Sequence, residues 1–308
     1  DGQRNQALAH YAAYCALLDE ELGVKPDVRT TALYQRIREG SLRRKDASAT
    51  VAQPAAIFTD TPPSFTFVGR ESELQRMDAA LHQAQQGAGQ LLFVTGEAGS
   101  GKTTLAQAFV RRLVARPGGV VVVRGTCNAH LGAGDPYLPF REMLRLLTGD
   151  FDVPAAGGGL TPAYEQRLEA LIPTVMQALR DEAPSLIGGW VPARTASARQ
   201  LETPRSTPPS PAALCDQVTR VLRTVARQRA LVLILDDLQW ADRGTLNLLV
   251  HLGRRLEGSR LLILGLYRST DVGADHPLWP IIRELQRVHG DLFINLAQAG
   301  GAAFVDAF

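Results

Sequence analysis

The stretch from Leu91 to Phe109 limits what this chain can become more than any other. Leu91-Leu92-Phe93-Val94-Thr95 is a short apolar run ending at glycine, the pattern of a buried strand. Gly96-Glu97-Ala98-Gly99-Ser100-Gly101-Lys102-Thr103-Thr104 follows at once and satisfies the spacing G-x-x-x-x-G-K-[ST]. A helical pattern of Leu105, Ala108, Phe109 and Leu113 then begins without a break. The spacing has a mechanical reason. Backbone N–H groups wrap a polyphosphate only where side chains leave the approach open and the chain can take positive φ, and Gly96, Gly99 and Gly101 are expected to supply that freedom. The new helix points its positive end at the phosphates, Lys102 brings a mobile ammonium to the outer ones, and the Thr103 hydroxyl is placed to ligate magnesium. A plain glycine-rich turn is the duller alternative, and the order strand, loop, helix disfavours it.

At 308 residues the chain has room for about two domains of roughly 150 residues. A formal charge of +2 gives no domain-wide basic field, so direct nucleic-acid binding by this stretch is not favoured. Cys15, Cys127 and Cys215 are isolated and lack C-x-x-C spacing, which suggests buried thiols in a reducing, cytoplasmic setting rather than disulfides or a zinc site. The six histidines are scattered and none is assigned a site. No apolar run approaches the roughly 18 residues that span a bilayer, so no membrane partner is expected.

A second segment completes the chemistry. Leu231-Val232-Leu233-Ile234-Leu235-Asp236-Asp237 is an apolar strand tipped by two carboxylates. Burying each of its aliphatic side chains contributes roughly 1.5–3 kcal/mol at most, so it should be central in a sheet. Two acids at its exit are costly unless a cation sits there, and magnesium answers that need. Asp236 would hold the ion and Asp237 would orient or deprotonate an attacking water.

The continuation Asp236-Asp237-Leu238-Gln239-Trp240-Ala241-Asp242 resembles the D-D-[LV]-[HQ]-W-A-D signature of AAA-type ATPases of the STAND class, the signal-transduction ATPases with numerous domains. Val68-Gly69-Arg70-Glu71 resembles their opening segment, which implies that Val68, Gly69 and Arg70 lie on the base side of ATP. Arg268, after the strand Leu261–Leu266, matches the position that reads the γ-phosphate in that family. Asp242 has a plainer role as N-cap of the next helix, and that role is preferred. Arg254 and Arg255 read as exposed helix charges rather than groups reaching a neighbouring subunit.

Upstream, Leu8, Tyr11, Cys15, Leu18 and Leu22 form one helical stripe and Leu33, Tyr34 and Ile37 a second. The run Ala7–Tyr11, then Leu18–Asp27, then Ala32–Tyr34 resembles the last helical pair of the bacterial transcriptional activator domain, a tetratricopeptide-like module. The expected organisation is therefore helices over 1–40, a linker over 41–64 rich in Pro, Thr and Ala with the charge run Arg43-Arg44-Lys45, and an ATPase domain over 65–308. A Pro/Ser/Thr-rich stretch over about 188–211 is expected to be a mobile surface insertion, and Pro173 to kink a helix that starts at Thr161. The chain opens on Asp1, so a fragment of a longer protein is expected.

The predicted fold is α/β: a P-loop three-layer sandwich around a five-stranded parallel sheet, with the order 5-1-4-3-2 implied by the family resemblance. The resemblance also implies an ATP- and magnesium-dependent switch of a transcriptional regulator. ATP and ADP are its ligands, with Lys102, Asp237 and Arg268 catalytic. A nucleotide-dependent homo-oligomer is its assembled form, and DNA is reached only through domains outside this chain. The competing reading is an origin-recognition-like loader or motor acting on nucleic acid. A P-loop kinase is disfavoured because no acceptor-binding segment is evident.

Overall fold

The computed structural model describes residues 69–116, 119–128, 136–151, 161–191 and 209–296. The expected helical pair, the linker, Val68, residues 192–208 of the insertion and the closing helix from Ala303 lie outside them.

In chain order the elements are α1 (Glu71–Gln85), β1 (Gln90–Gly96), α2 (Lys102–Ala115), β2 (Val121–Thr126), α3 (Leu138–Leu147), α4 (Pro162–Glu169), α5 (Ile172–Glu182) and α6 (Pro184–Trp190), then α7 (Pro211–Gln228), β3 (Leu231–Asp236), α8 (Arg243–Gly253), β4 (Leu261–Arg268), α9 (Leu278–His289) and β5 (Phe293–Asn295). Every pairing is parallel and the order is β2-β3-β4-β1-β5, the predicted 5-1-4-3-2 read from its other edge. All six residues of β3 are buried. Successive side chains of a strand point to opposite faces, so helices must cover the sheet on both.

Parallel pairing brings all strand exits to one rim, and the register fixes which residues meet there. Gly96 lies beside Arg268 and Thr126 beside Asp236. In the centre, Gly265 of β4 leaves room for its neighbours: a Cβ there would stand 2.6 Å from Leu238 Cδ1 and 2.8 Å from Phe93 Cδ1. β2 is an edge strand, and the buried Tyr164 of α4 satisfies its outward backbone at Val122. The phenol accepts from Val122 N–H and donates to Val122 C=O, each at 2.6 Å.

Two expectations change. The helix expected from Thr161 is not kinked at Pro173 but broken before it. Thr161 caps α4, and Pro173 falls in the first turn of α5, where its missing N–H deprives no intrahelical bond. The stretch from 188 also does not begin as a loop. Residues up to Trp190 complete α6, Trp190 and Val191 are buried, and the Trp190 ring lies 5.8 Å from that of Tyr137. Aromatic burial outweighs the polar composition that suggested a surface segment.

Candidate functional site

The loop after β1 takes the shape its glycines allow. Gly99 and Gly101 have φ of 78° and 88°, a region other residues rarely enter. Gly96 does not share that conformation, but space around it is tight: a Cβ would stand 2.6 Å from Ser100 Oγ and 3.3 Å from Leu296 Cβ. Glu97 and Ala98 are exposed, Ser100 and Thr103 half-buried and Thr104 exposed. No side chain caps α2, so its first-turn N–H groups keep their capacity for an anion. Lys102 is buried and folds back over the loop, donating to Gly96 C=O at 2.9 Å and Glu97 C=O at 2.7 Å. Burial lowers its proton affinity, as does the nearby Arg268, while Asp237, Asp236 and Asp271 act in the opposite sense. Lys102, Asp236, Asp237 and Arg268 thus share one electrostatic neighbourhood.

The acids are held differently from each other. Asp236, 4% exposed, accepts the Asp237 amide on Oδ1 at 2.9 Å and an Arg124 guanidinium on Oδ2. Burial raises its pKa against the opposing pull of Arg124. Asp237 sits in the left-handed region with φ of 54°, and its Oδ1 accepts from Gln239 Nε2 at 2.8 Å. Gln239, 3% exposed, uses its other amide atom to accept the Arg268 N–H at 3.2 Å, tying the exit of β3 to that of β4. His276 steadies the same turn. Its Nε2 is 3.0 Å from Gln239 C=O, which can only accept, and its Nδ1 accepts the Leu278 N–H at 3.1 Å. Those partners suit Nε2 as the donor and Nδ1 as the acceptor.

Residues 66–264, well over half of the chain, match the AAA ATPase domain family. The chain belongs to this AAA ATPase family. Residues 1–38 match the bacterial transcriptional activator domain, as the resemblance implied. The pair makes this a transcriptional regulator with an ATPase domain. No curated protein matches the chain.

Within this AAA ATPase domain, the remaining predicted residues divide by role. Asp242 is the N-cap of α8, accepting the Thr245 N–H at 3.0 Å and also the Thr245 hydroxyl. Arg254 pairs with Glu284, and Arg255 donates to His251 C=O at 3.3 Å. Arg70 spends its guanidinium on Glu73 at 2.8 Å and Leu296 C=O at 3.1 Å, so it fastens the opening segment to the end of β5. The Arg268 guanidinium makes no hydrogen bond to a described residue, and Arg268 itself lies beyond the matched stretch.

Magnesium fits the donor chemistry here on one condition. A threonine hydroxyl and one carboxylate, completed by phosphate oxygens and water, is a donor set this ion favours, and among the described residues no cluster of His, Cys, Asp and Glu offers an all-protein cage. The condition is that Asp236 Oδ2 be released by Arg124. Arg124, Glu142 and Gln239 are the residues that sequence reading missed. An arginine inside an apolar strand signals a buried acid opposite, but the identity of that acid is a matter of register.

Proposed function

We propose that this chain is the nucleotide switch of a cytoplasmic bacterial transcriptional regulator, with ATP and magnesium favouring an assembled, active form and ADP a closed one. The observation that carries the reading is the convergence of Lys102, Asp236, Asp237 and Arg268 on one sheet rim of an AAA ATPase domain, in a chain that also matches an activator module. Backbone N–H groups of residues 96–104 cradle the phosphates. Lys102 exchanges the carbonyls of Gly96 and Glu97 for phosphate oxygens, a trade of neutral acceptors for anionic ones.

Thr103 and Asp236 hold the magnesium ion, which neutralises charge on the phosphates. Asp237 orients the attacking water, with Gln239 fixing its carboxylate and coupling it to the strand that ends in Arg268. Arg268 reads the terminal phosphate. Val68, Gly69 and Arg70 form the base side, Arg70 by anchoring that segment. The helical module covers 1–40, the linker 41–64 and the ATPase domain 65–308.

Two measurements test this. The full-length regulator should assemble with a non-hydrolysable ATP analogue and not with ADP; identical sedimentation in both would sink the switch, and steady turnover stimulated by DNA would point to a loader. Asp237→Asn should bind ATP normally yet hydrolyse it about 100-fold more slowly. An unchanged single-turnover rate removes Asp237 from the mechanism.

A further inference from the structure

β2 opens on three buried valines, and its fourth residue is an arginine that is only 4% exposed. The Arg124 guanidinium pairs with Asp236 Oδ2, and its Nε has no hydrogen-bond partner among the described residues. With Asp236 Oδ1 on the Asp237 amide, both oxygens of the metal carboxylate are already engaged by the chain. A second acid lies near. Glu142 of α3 accepts the Thr126 N–H through Oε2 at 3.3 Å, and Thr126 is the register partner of Asp236. Glu142 lies within electrostatic range of Arg124, and burial raises its proton affinity. The guanidinium therefore has two buried or half-buried carboxylates in its electrostatic neighbourhood and is hydrogen-bonded to the one that magnesium would need.

We propose that Arg124 is a displaceable counter-ion, competing with magnesium for Asp236 and turning to Glu142 when the metal takes that carboxylate. The proposal rests on Asp236 being the metal carboxylate. A guanidinium and a dication on one carboxylate repel each other strongly where water is excluded, so one must leave. A displaced arginine cannot remain buried and unpaired. Glu142 is the acid that removes that penalty, and its own burial cost falls as it receives the cation. The magnesium requirement of nucleotide binding is thereby set by two residues, one on an edge strand and one on a helix, that touch neither ligand. Arg124 acts as a positioning residue in this scheme.

The test is a magnesium titration of fluorescent ATP-analogue binding to the whole chain, repeated in EDTA. Arg124→Gln should lower the half-saturating magnesium concentration about tenfold, and Glu142→Gln should raise it about fivefold, the range usual for coupled binding. In EDTA both variants should bind the analogue as the parent does, since Lys102 and the loop are untouched. Half-saturation points that stay at the parent value, or that move in the same direction, overturn the proposal; a purely structural Arg124 would change melting behaviour alone. If Arg124→Gln does not fold, Glu142→Gln decides by itself, and an unmoved point overturns the idea. Asp236→Asn separates the two levels. If it leaves the magnesium dependence intact, the metal-site reading falls and the proposal with it. If it removes the dependence while the Arg124 and Glu142 variants match the parent, the proposal falls alone.

Discussion

The two rims of the sheet carry the same kinds of residue under opposite conditions. At the strand exits, Lys102, Arg124, Asp236 and Gln239 are all buried and all hydrogen-bonded to protein groups. At the strand entrances, Arg227, Arg229 and Arg260 line open clefts of about 370 and 340 Å³ together with Gln85, Gln86 and Gln228, and none of these arginines has an acidic partner among the described residues. These open clefts thus lie at the end with no convergent chemistry among the described residues. What marks the exits is charge withdrawn from water and held by specific partners.

Several substitutions would break or sharpen that contrast, beginning with the most severe. Gly125→Val at the end of β2 places a Cβ 2.5 Å from Pro139 Cα, backbone that has no rotamer by which to yield. It should cost about 3 kcal/mol in urea unfolding, the upper end of overpacking penalties. A near-parental midpoint would mean that α3 does not press on the strand exit.

Lys102→Ala should weaken ATP binding about 100-fold, equivalent to roughly 2.7 kcal/mol, by titration with a fluorescent analogue. Retained tight binding would remove the exit rim from phosphate recognition. Asp242→Ala should lose about 1 kcal/mol of stability through the missing cap on α8, and Asp242→Ser should recover most of it. At the other rim, Arg260→Ala should stay within about 0.5 kcal/mol of the parent and leave ATP affinity unchanged. A clear loss of affinity there would erase the distinction between the rims.

Much of this was readable from residue order. The run Leu231–Asp236 announced a two-sided central strand, since nothing in it could face water until the acids. The glycine spacing around Lys102 announced the loop because its geometry is local. Asp242 was legible as a cap for the same reason: an N-cap and its Thr245 partner are three residues apart.

What escaped reading was whatever depends on partners far apart in sequence. Arg124 and Asp236 are separated by 112 residues, and the pairing follows only from the β2–β3 register. Gln239 looks like one letter of a motif, while in the fold it bonds both Asp237 and Arg268, the latter 29 residues beyond Gln239 itself. Trp190 was hidden by its glycine, proline and serine neighbours, whose composition outvoted a single aromatic ring. Gly96 was misjudged in kind: its missing side chain matters for room rather than for torsion.

The phenol of Tyr164 has one more consequence. An outermost strand with unmet amides invites a strand from a second molecule, which is how sheets grow into fibrils. Here the Val122 amide and carbonyl are already stoppered from within the same polypeptide, so an intruding strand would have to evict a fully buried ring before making its first hydrogen bond at that residue.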